Sequence, residues 1–256
     1  MRALGYAYAA AVFAFIYLPV AVLVLFSFQD GRFPIPPFEG PTLRWYAEAL
    51  GDDDITDALL NSLLVGVASS AFACLLGFLA AYALSRTRLP GGATLRGLLM
   101  APLSVSYLII GLGLLISFNL TGVSKSLLTV GIGHAVINTP LCFAILLASM
   151  GTHQASIERA ARDLGAAEWQ VMALVTAPMI APGLAAAFAL SLTFSWDEFI
   201  IAFLLSRFDV TVPVEIFSLL RSGLDPKTNA VGSIVFLGSV AMVLLAELLI
   251  LSRRRG

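Results

Sequence analysis

Long stretches without a charged side chain dominate this sequence. Six of them contain no Asp, Glu, Lys or Arg, and they cover residues 3–29, 58–85, 97–124, 126–157, 169–196 and 228–246. An α-helix needs about 20 apolar residues to cross a hydrocarbon core about 30 Å thick. We therefore predict six transmembrane helices, at residues 6–28, 59–84, 97–118, 127–150, 180–204 and 230–251. The predicted fold class is all-α: a polytopic membrane protein with one transmembrane domain over residues 1–256.

The composition leads to the same class of protein. Apolar residues make up 59% of the 256 residues and charged residues 12%, whereas an average soluble domain has about 45–50% and about 25%. So few charged side chains could not cover the surface of a soluble protein of this size. Disordered chains, coiled coils and most soluble enzymes are therefore excluded. The net charge of −1 also argues against a nucleic-acid partner, which would require a basic surface.

The first apolar run and the two cysteines each have a competing interpretation. The run at 3–29 is longer than the apolar region of a signal peptide, about 7–15 residues, so we predict a retained helix. Cys74 and Cys142 lie inside apolar runs, which favours small core residues over a disulfide or a metal pair. Two histidines are too few for a metal site, so no metal is expected.

The orientation follows from the distribution of Lys and Arg over the short loops. With both termini in the cytoplasm, nine basic residues lie inside and six lie outside. The inner set is Arg2, Arg86, Arg88, Arg96, Arg159, Arg162, Arg253, Arg254 and Arg255; the outer set is Arg32, Arg44, Lys125, Arg207, Arg221 and Lys227. We therefore predict that both termini are cytoplasmic.

Residues 151–178, between the fourth and fifth predicted spans, form the most informative inner segment, called here the 151–178 loop. Ser156 is predicted to cap a helix whose first turn carries Glu158, where the helix dipole favours a negative charge. Gly165 is predicted to end that helix, because glycine readily adopts a positive φ. A second helix then begins near residues 167–168, with Trp169, Met172 and Val175 at helical spacing. The prediction is a helix–turn–helix at the cytoplasmic surface.

The spacing within this loop is Glu-x-Ala-Ala-x-x-x-Gly, nine residues, then Val-x-x-Pro. This pattern resembles the EAA signature of the permease subunits of binding-protein-dependent ABC importers. The resemblance implies that the loop docks into a cleft of a cytoplasmic ATPase and transmits its closure. The positions implied in coupling are Glu158, Arg159, Ala160, Ala161, Gly165, Val175 and Pro178. Arg159 departs from the usual glutamate, with Glu158 one residue earlier, and Ala177 stands where leucine is common.

The resemblance also implies an assembly. It predicts a type I ABC importer permease fold in a bacterial cytoplasmic membrane, paired with a homologous permease, so that a heterodimer is expected. A dimer of cytoplasmic ATP-binding subunits and a periplasmic substrate-binding protein are the other implied partners, beside the lipid bilayer. The chain contains no GxxxxGK[ST] phosphate-binding loop. We therefore expect no enzyme activity and no cofactor in this chain, with ATP and Mg used by the partner ATPase.

Further segments resemble the spermidine/putrescine branch of these permeases, namely residues 42–46, 61–63, 80–86, 195–199 and 225–230. This resemblance implies a polyamine substrate, and another small solute is the alternative. A polyamine is a chain of ammonium groups, so carboxylates and an aromatic face would favour its passage. The substrate-pathway candidates are Ser195, Trp196, Asp197 and Glu198. In a continuous helix Ser195 and Glu198 share a face, whereas Asp197 lies on another.

Each of these interpretations has a structural or functional alternative. Asp197 and Glu198 could instead cap or bridge helices, and His134 is predicted to be a hydrogen-bonded interior residue. The acidic segment Asp52–Asp54 with Asp57 is either a solvated loop or a surface for a binding protein. An ion-coupled transporter and an intramembrane serine protease are the other function classes. For the protease, we find no GxSG-type nucleophile that pairs with His134 or His153.

The predicted orientation is testable by labelling. The variant Asp163→Cys is expected to resist a membrane-impermeant maleimide applied to intact cells, and to react once the membrane is opened. The native Cys74 and Cys142 would first be replaced by serine, and a cysteine at Asp53 would serve as the outward-facing control. Labelling of position 163 in intact cells would contradict cytoplasmic termini.

Overall fold

The computed structural model describes residues 2–87, 89–223 and 225–254, and over these residues the chain is helical without a β-strand. The helices are α1 (Arg2–Phe26), α2 (Arg44–Leu50), α3 (Asp53–Arg86), α4 (Gly92–Met100), α5 (Tyr107–Leu120), α6 (Leu127–Ala148), α7 (Thr152–Asp163), α8 (Glu168–Gln170), α9 (Ala177–Met179), α10 (Ala181–Trp196), α11 (Ile200–Leu205), α12 (Val212–Ser222) and α13 (Pro226–Arg254). A 3₁₀ turn lies at Ala101–Ser104 and a π-helix at Val171–Thr176. Arg88 and Arg255, on which the orientation prediction partly rests, lie outside the described residues.

Among the described residues, four helical segments are long and apolar enough to cross a membrane. They are Gly5–Phe26, Asp53–Arg86, Leu127–Ala148 and Pro226–Leu244, and they coincide with the first, second, fourth and sixth predicted spans. The third and fifth predicted spans fall on bent pairs of helices. The described residues thus provide four candidate membrane spans if only the long helices are counted, and up to six if each bent pair is counted as one span.

The predicted span at 97–118 is not one straight helix. The Gly92–Ser104 and Tyr107–Leu120 segments meet at an angle of 103°. Pro102 lies in the 3₁₀ turn before the bend, and Val105 is extended, with φ −105° and ψ 138°. Proline has no N–H for the preceding helical turn, so the chain leaves the α-helix here. Hydropathy did not reveal the break because the apolar run continues through it.

The predicted span at 180–204 begins at a bend and is broken further along. The segments Glu168–Met179 and Ala181–Trp196 meet at 79°, and the bend lies at Ile180, between Pro178 and Pro182. Pro182 stands in the first turn of α10, where its missing N–H leaves no helical hydrogen bond unmade. A second break follows Trp196, before α11 begins at Ile200.

The chain divides into two compact units. The first comprises Met1–Leu59 and Val212–Gly238, and the second comprises Leu60–Thr211 and Ser239–Gly256. In the first unit the chain after α1 is anchored by Trp45, whose Nε1 donates a hydrogen bond of 2.6 Å to the carbonyl oxygen of Gln29. In α2, Trp45 and Ala49 are the buried positions.

The core of the second unit lies between α3, α6 and the start of α10. Its buried residues are Ala73, Cys74, Phe78, Ala81, Cys142, Phe143, Leu146, Ile180 and Ala187. At Gly77 the backbones of α3 and α6 meet: an added Cβ would lie 2.7 Å from the Phe143 nitrogen and 2.9 Å from the Cys142 Cβ. Only glycine permits so close an approach.

Helices α6 and α10 run antiparallel and are joined by polar contacts. Each step of four residues along α6 is matched by a step of four back along α10. The contacts are His134 Nδ1 to Ser195 Oγ at 2.6 Å, Asn138 Nδ2 to the Ser191 carbonyl oxygen at 3.3 Å, and Cys142 Sγ to the Ala187 carbonyl oxygen at 3.7 Å. Polar side chains join apolar helices in this way where water is scarce.

The contact at Gly77 gives a stability prediction. We expect Gly77→Ala to lower the free energy of unfolding by about 1–3 kcal/mol, because the added methyl forces α3 and α6 apart. Thermal unfolding of the detergent-solubilised protein is the measurement. Gly113→Ala is the matched control, since an added Cβ there meets no atom within 4 Å and alanine favours the helix. Equal melting temperatures for the two variants would contradict the tight contact.

Candidate coupling loop and buried polar cluster

The first limb of the 151–178 loop is α7, which begins earlier than the sequence predicted. Gly151 precedes its first turn, and Ser156 lies inside the helix, where its Oγ donates to the carbonyl oxygen of Thr152 at 3.3 Å. The predicted capping by Ser156 is therefore wrong. The helix starts directly after the turn that follows α6, so Glu158 lies in its second turn.

Glu158 is fully buried and forms the centre of the loop. Arg86, at the end of α3, donates to it from Nε at 2.6 Å and from Nη2 at 3.1 Å. Thr176, in the second limb, donates from Oγ1 at 3.0 Å. A buried carboxylate needs such partners, since an unpaired charge would be strongly destabilising. Glu158 therefore joins both limbs of the loop to α3.

The turn at Gly165 has the predicted left-handed conformation. Its φ is +90°, and the nitrogen of Ala166 donates to the carbonyl oxygen of Ala161 at 3.1 Å, which closes the end of α7. An added Cβ at Gly165 would touch nothing within 4 Å. Backbone conformation, rather than lack of space, is therefore the reason for glycine at this position.

A second ion pair spans the turn. Arg162 donates to Glu168 from Nε and from Nη2, each at 2.9 Å, and this carboxylate holds the pKa of Arg162 above its ordinary value. Tyr82 of α3 completes the group: its hydroxyl donates to Glu168 at 2.5 Å and accepts from Arg162 at 2.7 Å. The loop is thus connected to α3 at two separate places.

The second limb begins at Glu168 as predicted, but it is not an α-helix throughout. Trp169 is 62% exposed, whereas Val171 and Thr176 are buried. The segment between them is a π-helix, in which the turn is wider than in an α-helix. The predicted spacing of Trp169, Met172 and Val175 assumed an α-helix; in the π-helix Met172 and Val175 are half-buried, whereas Trp169 is exposed.

A buried polar cluster surrounds the end of α10. Ser195 Oγ lies 3.2 Å from Ser69 Oγ and 2.6 Å from His134 Nδ1. On the other side of the imidazole ring, Nε2 is 3.4 Å from Glu198 Oε2. Each of these side chains is at most 6% exposed.

Glu198 caps α11. Its carboxylate accepts hydrogen bonds from the backbone nitrogens of Ile200 at 3.0 Å, Ile201 at 2.9 Å and Ala202 at 3.2 Å. A carboxylate at a helix N-terminus is favoured by the free N–H groups and by the helix dipole. Asp197, in contrast, is exposed, and Trp196 is buried.

On the first unit, the acidic segment Asp52–Asp54 is partly engaged by the chain itself. Lys227 Nζ lies 2.5 Å from Asp52 Oδ2, and this hydrogen bond holds the pKa of Asp52 below its ordinary value. Burial, together with the charges of Asp54 and Asp52, raises the pKa of Glu215. Asp53 and Asp54 are exposed. Within the described residues, no group of three or more His, Cys, Asp or Glu is placed to hold a metal ion.

No protein-family model matches the chain, but curated relatives match nearly all of it. The putrescine transport system permease protein PotI of Escherichia coli (strain K12) is 32% identical over 239 residues, which are 90% of this chain and 84% of PotI. The chain belongs to the ABC importer permeases. The spermidine/putrescine transport system permease protein PotC of the same strain is 28% identical over 247 residues, 96% of this chain and 93% of PotC.

Solved structures share the fold of this permease. A chain of a bacterial ABC transporter that imports the acidic polysaccharide alginate superimposes with a TM-score of 0.70 at 19% identity, covering 98% of this chain and 96% of that chain. The alginate transporter in complex with its pentasaccharide-bound periplasmic protein gives 0.69 at 18% identity, covering 96% and 91%. The permease is thus a multi-pass membrane protein.

The positions of the EAA pattern are divided between the surface and the interior of the permease loop. Glu158 is buried, Ala161 and Val175 are half-buried, and Arg159, Ala160, Gly165 and Pro178 are exposed. Arg159 donates to Ser156 Oγ at 3.0 Å and otherwise faces outward. Large apolar side chains share this surface, with Leu164 89% exposed and Leu174 67% exposed.

Sequence reasoning missed Tyr82, Arg86 and Glu168 as members of the loop site. The sequence singles out the segment 80–86 for its resemblance to other permeases, and Arg86 also for the orientation, but neither Tyr82 nor Arg86 as a partner of the loop. A usable signal was present: Tyr82 and Arg86 are one helical turn apart at the end of an apolar helix, so both side chains point to one side. Glu168, the partner of Tyr82, lies 86 residues away, and Glu158, the partner of Arg86, lies 72 residues away, which spacing alone does not reveal.

The sequence contains no GxSG-type nucleophile for His134, and the serine that contacts this histidine in the structure is Ser195. Ser195 lies at hydrogen-bond distance from the ring, without a GxSG pattern. The ring is fully buried and Ser195 is 4% exposed, so the serine is enclosed between helices rather than presented to a substrate. The prediction that His134 is a hydrogen-bonded interior residue is confirmed. Cys74 and Cys142 are free and buried, as predicted, although their sulfur atoms are only 3.5 Å apart.

Proposed function

We propose that the chain is the membrane-spanning permease subunit of an ATP-driven importer for polyamines. The observation that carries the proposal is the sequence relationship to permeases named for putrescine and for spermidine/putrescine, over 90% and 96% of this chain. The 151–178 loop agrees with it. The loop is a firmly connected helix–turn–helix with an exposed apolar edge, which is what docking to a separate ATPase would use.

The proposed assembly follows the related transporters. The whole chain, residues 1–256, acts as one transmembrane domain of type I topology with six spans, the fifth of which begins at residue 180, directly after the 151–178 loop. It lies in the bacterial inner membrane with both termini in the cytoplasm. It pairs with a homologous permease and with a dimer of ATP-binding subunits, which use ATP and Mg, and this chain binds no cofactor. The periplasmic protein present in the related alginate transporter supports a binding protein as the solute donor.

We assign different roles to the two acidic residues after α10. Glu198 already accepts three backbone hydrogen bonds, so its carboxylate is engaged in capping. Asp197 is exposed and is the better candidate to contact a cationic solute. Trp196 and Ser195 are buried beside them and hold this end of α10 in place.

The loop provides the test of the proposed function. In the transporter reconstituted with its ATPase, we expect Gly165→Asp to reduce transport while the permease still inserts. A non-glycine residue at this φ is unfavourable by about 1–2 kcal/mol, which misorients the docking surface. Solute uptake and ATP hydrolysis would be measured together.

The matched control is Ala167→Asp, which adds the same charge at an ordinary φ of −67° and at a helix start that favours aspartate. Full transport by Gly165→Asp would contradict the coupling role of the loop. Uptake by the unmodified chain without any ATPase would contradict the proposed function itself.

Neutral isosteres separate Asp197 from Glu198. We expect Asp197→Asn to keep the melting temperature and to lower polyamine uptake at low concentration about tenfold, or about 1.4 kcal/mol. We expect Glu198→Gln to lower the free energy of unfolding by about 1–3 kcal/mol, because it removes a charged acceptor from a buried cap. Wild-type uptake by Asp197→Asn at every polyamine concentration would contradict a solute contact at Asp197.

A further inference from the structure

The 151–178 loop is connected to α6 and α10 in one way and to α3 in another. The 151–178 loop is joined by the chain itself to α6, which ends at Ala148, and to α10, which begins at Ala181. Any displacement of the loop therefore reaches these two helices through covalent bonds. Helix α3 has no such connection to the loop, because it ends at Arg86, far earlier in the chain. Its connection depends on side chains.

Beside apolar packing around Phe78, two polar side chains of the described part of α3 make hydrogen bonds to the loop, and they lie on one face of the helix. Tyr82 and Arg86 are one turn apart, so they reach the loop side by side. Arg86 holds Glu158 in the first limb by a two-pronged ion pair. Tyr82 holds the Arg162–Glu168 pair, whose members lie on opposite sides of the Gly165 turn. Both limbs and the turn are thus connected to α3.

The two contacts have different environments. The Arg86 and Glu158 side chains are 10% and 0% exposed, so their charged hydrogen bonds are shielded from water and salt. The Arg162 and Glu168 side chains are 33% and 54% exposed, so this ion pair contributes less by itself. The buried Tyr82 hydroxyl adds hydrogen bonds to both charged partners and directs the pair toward α3.

The geometry points to Tyr82 and Arg86 as positioning residues that transmit movement of the 151–178 loop to α3. The inference rests on the proposed function, since it requires an ATPase that moves the loop. Because α3 and α6 touch backbone to backbone at Gly77, movement of α3 is shared with α6. The loop then displaces α3, α6 and α10 together, rather than α6 and α10 alone.

The test uses the complete transporter in proteoliposomes, with [¹⁴C]putrescine as the transported probe and phosphate release as the measure of ATP hydrolysis. The main variant is Tyr82→Phe, which keeps the ring in the core and removes only the hydroxyl. We expect it to assemble with the ATPase normally and to transport about fivefold less putrescine per ATP hydrolysed, since a hydrogen bond to charged groups is lost. Ser85→Ala is the matched control: its hydroxyl donates only within α3, to the Tyr82 carbonyl oxygen at 3.1 Å.

Arg86 is tested without leaving a buried charge unpaired. The double variant Arg86→Gln/Glu158→Gln keeps two polar side chains in contact and removes both charges, which permits folding. We expect it to lose coupling more severely than Tyr82→Phe. Arg86→Lys keeps the positive charge, and we expect it to retain more transport per ATP than the double variant.

Three results would overturn the inference. In the first, Tyr82→Phe and the double variant both transport as much putrescine per ATP as Ser85→Ala. In the second, Tyr82→Phe no longer retains the ATPase, in which case the hydroxyl serves docking rather than transmission. In the third, Arg86→Lys couples no better than the double variant. A failure of the proposed function would appear in the unmodified chain, as absence of ATP-dependent uptake, and is thus distinguishable.

Discussion

The arrangement of the loop region depends on one buried negative charge. Glu158 lies where no water reaches its carboxylate, so its neighbours must supply both the opposite charge and the remaining hydrogen bonds. Arg86 and Thr176 do so from two distant parts of the chain. The hydrogen bonds and the opposite charge that Glu158 requires therefore fix how the two limbs of the loop lie against α3. The turn at Gly165 and the second ion pair follow from that placement.

The fold was predictable where it depends on composition along the chain and not where it depends on single residues. Long runs without charge correctly located the helices at α1, α3, α6 and α13, because a membrane selects for apolar length. The bend near Pro102 escaped prediction, since the apolar run continues unchanged through it. A proline in such a run indicates that a bend is possible, but packing against other helices decides whether it forms.

The candidate site was predictable to a similar degree. Gly165 was correctly expected in a left-handed turn, because that requirement is local and only glycine meets it easily. The role of Glu158 was not predictable, because its partner Arg86 is brought close only by the packing of α3. Asp197 and Glu198 were expected to lie on different faces, and in the structure Asp197 is exposed whereas Glu198 is buried. The reason is that α10 ends at Trp196, so that Glu198 caps the next helix. The periodic pattern of the sequence does not show where α10 ends.

Two of the contacts between α6 and α10 depend on a particular side chain on α6 but not on α10. At Asn138 and Cys142 the donors are side chains of α6, whereas the acceptors on α10 are main-chain carbonyl oxygens. Every amino acid supplies a carbonyl oxygen, so the acceptor survives a change of side chain at Ser191 or Ala187 that preserves the helix. A change at Asn138 removes the donor outright. Among divergent descendants of this sequence, the Asn138 hydrogen bond would therefore constrain Asn138 more than Ser191, whereas at the His134–Ser195 contact both helices contribute a side chain and both are constrained.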